Sequence, residues 1–578
     1  MIGERPTRIL AVAAAPGIAR ARWAELRRTA LPAPRQIDPT ETAAEIERLN
    51  VAANDAAMEL MALSDRVAEE GHEAESAIFA AHAAIAWDPA LMSAATEEIE
   101  GRRTDAIGGI VAAGRAIAAT LAAVDDALIS ARSADILDVA DRIARRLAGL
   151  PAEEELLPEP AIVVAVDLAP SLTATLPRER LLGIALEAGS PTAHAAILAR
   201  AYGIPAVVGA AGLLEALRAA GLDAELAIDG ATGEVVVDPD EGDRARFEAR
   251  AADLQAAHAR DLAEAALDAV TIDGTAVTLL ANIGGPDEAA PAVALGAKGV
   301  GLFRTEFLFL ERTTPPTEDE QTDAYRAAIE PFGGAPVTIR LLDVGGDKPI
   351  PYLPMPPEDN PFLGVRALRL AESRPDLFVT QLRACYRASV AGPVKVMAPM
   401  IADGRDAATL LRLAEEARTG LDAEGVPIGD VMLGVMLEIP SAALTGRAWF
   451  DQIGFASLGT NDLLQYTLAV DRGNPALEGY RDSLHPALLR LVRMSVEAAT
   501  ATGIDLSVCG EMAGDPASAL ALVGLGIRSL SMSAPSLAAV RRALRGVSLA
   551  DLEREATAAL DAATAGEVRP RFEHLLPA

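Results

Sequence analysis

The chain has 578 residues, 51 Lys plus Arg against 83 Asp plus Glu, and a formal charge of −32. That length exceeds one compact core and predicts several domains, while the negative charge excludes a nucleic-acid phosphate backbone as partner, because repulsion would replace counterion release. No run of about 18 uncharged apolar residues occurs, so no membrane span is expected, and two cysteines, Cys385 and Cys509, fit a reducing cytoplasm rather than a disulfide framework.

The start briefly imitates a signal peptide, with Arg5 and Arg8 before the apolar run Ile9 to Ala15. Arg20 and Arg22 follow at once, so the run reads as a first β-strand. Residues 35–150 are Ala-rich with Leu and Ile at helical spacing, and read as an inserted helical subdomain. Between 38 and 150 there are 21 acidic residues against nine arginines, a local net of −12. Residues 151–240 change texture to "AIVVAVDL", "LLGIALEAGS", "IPAVVGA" and "LAIDGATGEVVVD". These are short strands and a hairpin-like ending, which with residues 1–34 form an α/β domain. A helix begins near His194 in "GSPTAHAAILAR", with Ser190 as N-cap and Pro191 at the first helical position. Residues 241–264 read as one polar helix, a linker.

From 265 to 578, eight apolar runs alternate with helical stretches: "AVTLLANI", "GVGLFR", "PVTIRLLDVGG", "VKVMAPM", "VMLGVMLEIP", "GFASLGTND", "LSVCGEM" and "RSLSMS". Eight such units in about 300 residues predict a (β/α)₈ barrel, with its chemistry at the carboxyl ends of the strands. Those ends carry Asn282; Arg304 and Glu306; Arg340 and Asp343; Met397 and Met400; Glu438; Asn461 and Asp462; Cys509 and Glu511; Ser531 and Ser533. Their convergence on one face predicts an active site. Arg304, Arg340 and Arg366 can grip phosphate or carboxylate bidentately. Lys348 is one of only three lysines, with Lys298 and Lys395, and "DVGGDKP" is no P-loop, since Pro349 stands where Ser or Thr would meet magnesium. Glu438 and Asp462 are hard-oxygen donors suited to Mg²⁺, with Mn²⁺ as an alternative. Cys509 is either a small buried residue or an acid able to protonate carbon.

The motifs "AAPGIA", "GSPTAHAAILAR", "GVGLFRTEFLF", "RLLDVGGDKPIPY", "NPFLGVRALR", "LGTNDLLQYTLAVDRGN" and "VCGEMAGD" together resemble enzyme I of the phosphoenolpyruvate:sugar phosphotransferase system along nearly the whole chain. The resemblance implies a multidomain α/β protein with a C-terminal TIM barrel and a swivelling phosphohistidine domain into which the helical subdomain is inserted. It implies that phosphoenolpyruvate phosphorylates His194 and that the group passes to a small carrier protein, HPr, as the first step of sugar uptake. Carried over by motif, Thr173 supports the phosphohistidine. Arg304, Arg340, Lys348, Arg366, Asn461, Asp462 and Arg472 bind substrate, Glu438 and Asp462 hold Mg²⁺, and Cys509 protonates the enolate carbon. It further implies HPr docking on the helical zone, where Glu69, Glu70, Glu73 and His82 are candidate contacts, and a homodimer formed through the barrel. In the common family loop, Gly, Arg and Ser stand where this chain has Ser190, Pro191 and Ala193, and proline there predicts a stiffer approach to the helix. Two alternatives keep the same motifs: a paralogue serving a nitrogen-related or dihydroxyacetone system, and a phosphoenolpyruvate-binding regulator.

Overall fold

The computed structural model describes residues 6–577 apart from 27–29, 70–72, 123–126, 151–156, 158, 169–175, 190–193, 311, 313, 346–349, 351, 354, 357, 472 and 473. It divides into two compact units, Met1–His258 and Ala259–Ala578.

The first unit is built on eight strands: β1 (Thr7–Leu10), β2 (Val12–Ala15), β3 (Ile18–Glu25), β4 (Ala161–Ala165), β5 (Leu181–Leu186), β6 (Ala206–Val208), β7 (Glu225–Asp229) and β8 (Glu234–Val237). Their order is β1-β8-β7-β3-β4-β5-β6-β2. The centre is parallel, and β4, the apolar run "AIVVA", is buried along its full length, as a strand covered on both faces requires. The flanks are antiparallel. The β7–β8 hairpin pairs Asp229 with Glu234, and the Asp229 carboxylate accepts from the Ala231 and Thr232 N–H groups at 2.9 and 3.1 Å. Gly17 in "AAPGIA" has φ 131°, and a Cβ there would stand 2.8 Å from Pro205 Cγ, so only glycine fits.

Between β3 and β4 the chain forms α1 (Thr42–Glu69), α2 (Glu73–Ala86), α3 (Pro89–Arg102), α4 (Ala106–Ala122) and α5 (Ala127–Leu147). They enclose their own apolar core around Leu49, Leu60, Phe79, Ile99 and Ile143. No single described helix is long and apolar enough to cross a membrane. The bent pair Ile78–Ala86 and Pro89–Arg102 passes by length and composition, but Phe79, Ala83, Leu91 and Ile99 of that pair are buried in this core. Three further helices follow: α6 (His194–Ala201), α7 (Leu213–Ala220) and α8 (Glu241–Glu264).

The second unit is a closed barrel of eight parallel strands: β9 (Thr278–Ile283), β10 (Val300–Phe303), β11 (Val337–Arg340), β12 (Val394–Ala398), β13 (Val431–Leu437), β14 (Phe455–Leu458), β15 (Asp505–Val508) and β16 (Ser529–Ser533). Each of the eight apolar runs supplies one strand. Helices between them start on strong caps. Thr317 and Glu320 form a capping box on Glu318–Ile329, and Asp515 caps Pro516–Gly524, satisfying N–H groups that a helix start leaves open. The barrel interior holds a small apolar cluster of Leu302, Met397, Met436, Phe455 and Cys509.

Candidate active site at the barrel mouth

At the carboxyl ends of β10 and β11 and in the loops beyond, the chain buries a network of opposite charges. Arg366 is 1% exposed, and its guanidinium donates twice to Asp343, both at 2.8 Å, and once to Asp462 at 3.2 Å. Arg340 pairs with Glu306 and lies 3.4 Å from Asp343, so Asp343 sits between two cations. Burial works against both guanidinium charges, yet Glu306 and Asp343 beside Arg340, and Asp343 and Asp462 beside Arg366, hold their pKa values above the ordinary one. Beneath Arg340, the Thr305 hydroxyl donates to its carbonyl at 2.9 Å and accepts from the Gln381 amide at 3.1 Å. Gly345 bridges Arg366 across the loop, and a Cβ there would strike the Val365 carbonyl at 2.6 Å.

Glu438, just after β13, is buried and accepts the Met400 N–H at 2.6 Å. Met400 has φ 58°, a left-handed conformation that costs a non-glycine residue about 1–3 kcal/mol and clusters at functional sites. Ala367, next to Arg366, is also left-handed. Burial, followed by the charges of Asp462 and Asp343, pushes the Glu438 carboxyl up to about 8. Two guanidinium groups thus face four carboxylates, Glu306, Asp343, Glu438 and Asp462, a net of 2 − 4 = −2 when all are ionised. That excess of hard oxygen donors fits a divalent cation such as Mg²⁺. Among the described residues no cluster of three or more His, Cys, Asp or Glu is arranged around a metal position.

Asn461 accepts the Glu511 N–H at 3.1 Å, beside a cavity of about 530 Å³ that both residues line. Cys509 is 1% exposed. Burial pushes its thiol up to about 11, opposed by a hydrogen bond with the Ser457 hydroxyl, so it is protonated at neutral pH. Arg304 is exposed, and among the described residues its guanidinium has no ion-pair or hydrogen-bond partner. The mouth therefore offers an available cation, a neutral acid and a preset charge framework.

Three sequence profiles match the chain in order. A PEP-utilising enzyme N-terminal domain covers residues 11–132, a mobile domain 157–233 and a PEP-binding domain 258–549. A phosphoenolpyruvate-protein phosphotransferase from Geobacillus stearothermophilus is 38% identical over 98% of this chain and 97% of its own length. The chain belongs to the phosphoenolpyruvate-protein phosphotransferase family. A multiphosphoryl transfer protein from Rhodobacter capsulatus is 43% identical over 88% of this chain, which spans 61% of that longer protein. A solved structure described as an enzyme I protein (nEIt) is 27% identical, covering 43% of this chain and 99% of that one, at a TM-score of 0.36.

For a member of this phosphotransferase family, the expected residues fall into three groups. Arg340, Arg366, Glu438, Asp462 and Asn461 belong to one mouth with Cys509, and Arg304 follows β10 there. Lys348, Arg472 and Thr173 lie outside the described residues, as do Glu70 and the loop residues Ser190 and Pro191. His194 is the first described residue of α6. The helix is anchored by buried Ala195, Ala196, Leu198 and Ala199 and by Arg200, which donates to the Ala14 carbonyl of "AAPGIA" at 2.9 Å. Glu69 is the last residue of α1 and Glu73 the first of α2.

His82 requires a correction. Expected on a docking surface, it is 1% exposed, packs edge-on against Phe79, and lies 3.2 Å from Asp135 and 3.5 Å from Asp138. It joins α2 to α5 inside the helical subdomain. Asp343, the carboxylate between both arginines, was visible only as one strand-end residue among several. The left-handed Met400, which turns an N–H toward Glu438, left no sequence signal.

Proposed function

We propose that the barrel mouth binds phosphoenolpyruvate and that His194 takes its phosphoryl group, releasing pyruvate. The observation that carries this is the buried Arg340–Asp343–Arg366–Asp462 network with Glu438 and a protonated Cys509 at one strand-end face. Phosphoryl transfer is mostly positioning and charge stabilisation, and the network supplies both before substrate arrives. Arg304, Arg340, Arg366, Lys348 and Arg472 grip the phosphate and carboxylate, and Asn461 contacts the substrate beside Asp462. Glu438 and Asp462 hold Mg²⁺ or Mn²⁺, which when bound supplies positive charge to the phosphate and enolate oxygens.

His194 attacks through a ring-nitrogen lone pair, and a helix start favours the phosphorylated form once made. Thr173 supports that form. Cys509 delivers a proton to the enolate carbon, a role its raised pKa suits. The phosphoryl group then leaves for HPr, as the first step of sugar uptake, and the domain carrying His194 swivels between the two encounters. The acidic helical zone, through Glu69, Glu70 and Glu73, receives a basic carrier surface, and two barrels associate as a homodimer.

Labelled phosphoenolpyruvate tests this. With Mg²⁺ the wild type acquires acid-labile, base-stable label that moves to added HPr, and chelation of the metal stops labelling. Label that stays on the enzyme with HPr present sinks the carrier assignment, and undiminished labelling in chelator sinks the metal assignment.

A further inference from the structure

Each pyruvate made by the proposed reaction takes one proton from Cys509 and leaves a thiolate that must be reloaded. The thiol's surroundings restrict how that happens. Leu302, Met397, Met436 and Phe455 form an apolar collar around it inside the barrel. Glu438, Arg340 and Arg304 are the charged groups that act on it from the strand ends above. Beside it, on β14, lies the fully buried Ser457, whose hydroxyl acts to lower the thiol's pKa, while the thiol itself donates to the Leu458 carbonyl at 3.6 Å. Ser507, on β15, precedes Cys509, just past the strand's end, by two positions, so both side chains point into the barrel. It pairs with Ser457 in register, and its hydroxyl donates to the Ser457 hydroxyl at 2.9 Å.

Ser507 also lines a cavity of about 570 Å³ at the opposite, strand-start face of the barrel, with Lys298, Lys395, Asp505 and Arg528. Lys395 Nζ lies 3.6 Å from Asp505 there and over the Phe455 ring. Two of the three lysines in an arginine-rich chain thus border one polar opening behind the active site. A line of hydroxyl groups leads from that opening to the thiol, while apolar side chains close its other sides.

We propose that Ser507 and Ser457 form a proton wire that reloads Cys509 from water in the strand-start cavity. This rests on Cys509 being the acid for pyruvate formation. In the chemical step the enolate carbon's electron pair takes the thiol proton, breaking S–H and forming C–H. In the reloading step Ser457 gives its hydroxyl proton to the thiolate and takes one from Ser507. Ser507 takes one from a cavity water, which is reprotonated by solvent acid, so one solvent proton is consumed per pyruvate. The wire enters from the face opposite the substrate, so reloading need not wait for the mouth to empty.

Rapid-quench pyruvate formation by the full chain with phosphoenolpyruvate, Mg²⁺ and HPr separates the first turnover, which uses the stored proton, from later ones. Ser507→Ala should complete its first turnover at the wild-type rate, then slow about ten-fold, at the low end of what a positioned proton-transfer group contributes. A larger solvent deuterium effect should accompany the slow phase. Ser507→Thr, which keeps a hydroxyl, and added imidazolium, a diffusible acid, should restore the later turnovers. Later turnovers of Ser507→Ala at the wild-type rate overturn the wire, and so does slowing that affects the first turnover equally. A wild type that forms no pyruvate overturns the underlying assignment instead.

Discussion

The barrel mouth and the start of α6 solve opposite problems. The mouth is fixed in advance: Arg366 is clamped by Asp343 and Asp462, Arg340 by Glu306, and Glu438 by the Met400 N–H. Such a set spends folding energy on buried charge so that little reorganises when a charged substrate arrives. The His194 helix has no comparable framework among the described residues. It is held from behind by small apolar side chains and one arginine-to-carbonyl bond. A fixed grip in one unit and an acceptor in the other are what the proposed relay requires.

The sharpest way to break this contrast is at the acid. Cys509→Ala should lower pyruvate formation by about 10²–10⁴-fold, the usual contribution of a positioned acid, while phosphoenolpyruvate affinity by calorimetry stays within about two-fold. Unchanged turnover would remove Cys509 from the chemistry.

Next is the framework itself. Asp343→Asn strips the shared carboxylate from two buried arginines and should cost about 3–5 kcal/mol of stability, as expected for a broken buried ion pair. Urea unfolding of the barrel transition measures this. A loss below about 1 kcal/mol would mean the network is solvated and not preset.

The thiol also carries a pH signature. Its folded pKa of about 11 exceeds the ordinary thiol value of 9.0. The folded state therefore binds more protons than the unfolded state between those values, and this group's contribution to stability falls as pH rises through that window. Below it the thiol stays protonated, so alkylation of Cys509 should be slow at pH 7 and rise about ten-fold per pH unit up to about pH 10. A rate that levels off near pH 8, read by mass spectrometry of the modified peptide, would contradict the buried, neutral acid.

The smallest effect concerns the helix Thr460–Leu468, which carries Asn461 and Asp462. Its exposed C-cap residue, Ala469, has φ 53°. Ala469→Gly relieves that conformation and should add about 0.5–1 kcal/mol, with no change in KM for phosphoenolpyruvate. A KM shift would show that the fixed mouth still depends on helix-end strain.

Much of this architecture was legible in the chain. Alternating apolar runs with polar last residues announce a parallel barrel, because a strand buried on both faces must be apolar until it reaches the mouth. Long motifs pointed to the family. What sequence did not reveal is which polar residues pair. Asp343 looked like any strand end until folding brought Arg366, 23 positions away, onto it. His82 looked like a docking residue because helical spacing alone does not say which face α5 covers; Asp135 and Asp138 are more than 50 positions downstream. The wire from Ser507 to Cys509 depends on the register of β14 against β15, which no single segment encodes.

The most direct test of the relay is one variant read two ways. His194→Ala, incubated with labelled phosphoenolpyruvate and Mg²⁺, should take no acid-labile label while binding phosphoenolpyruvate at the barrel with near wild-type affinity. Label that persists in His194→Ala would contradict the assignment of the phosphoryl acceptor. Loss of substrate binding in that variant would contradict the separation of grip from acceptor.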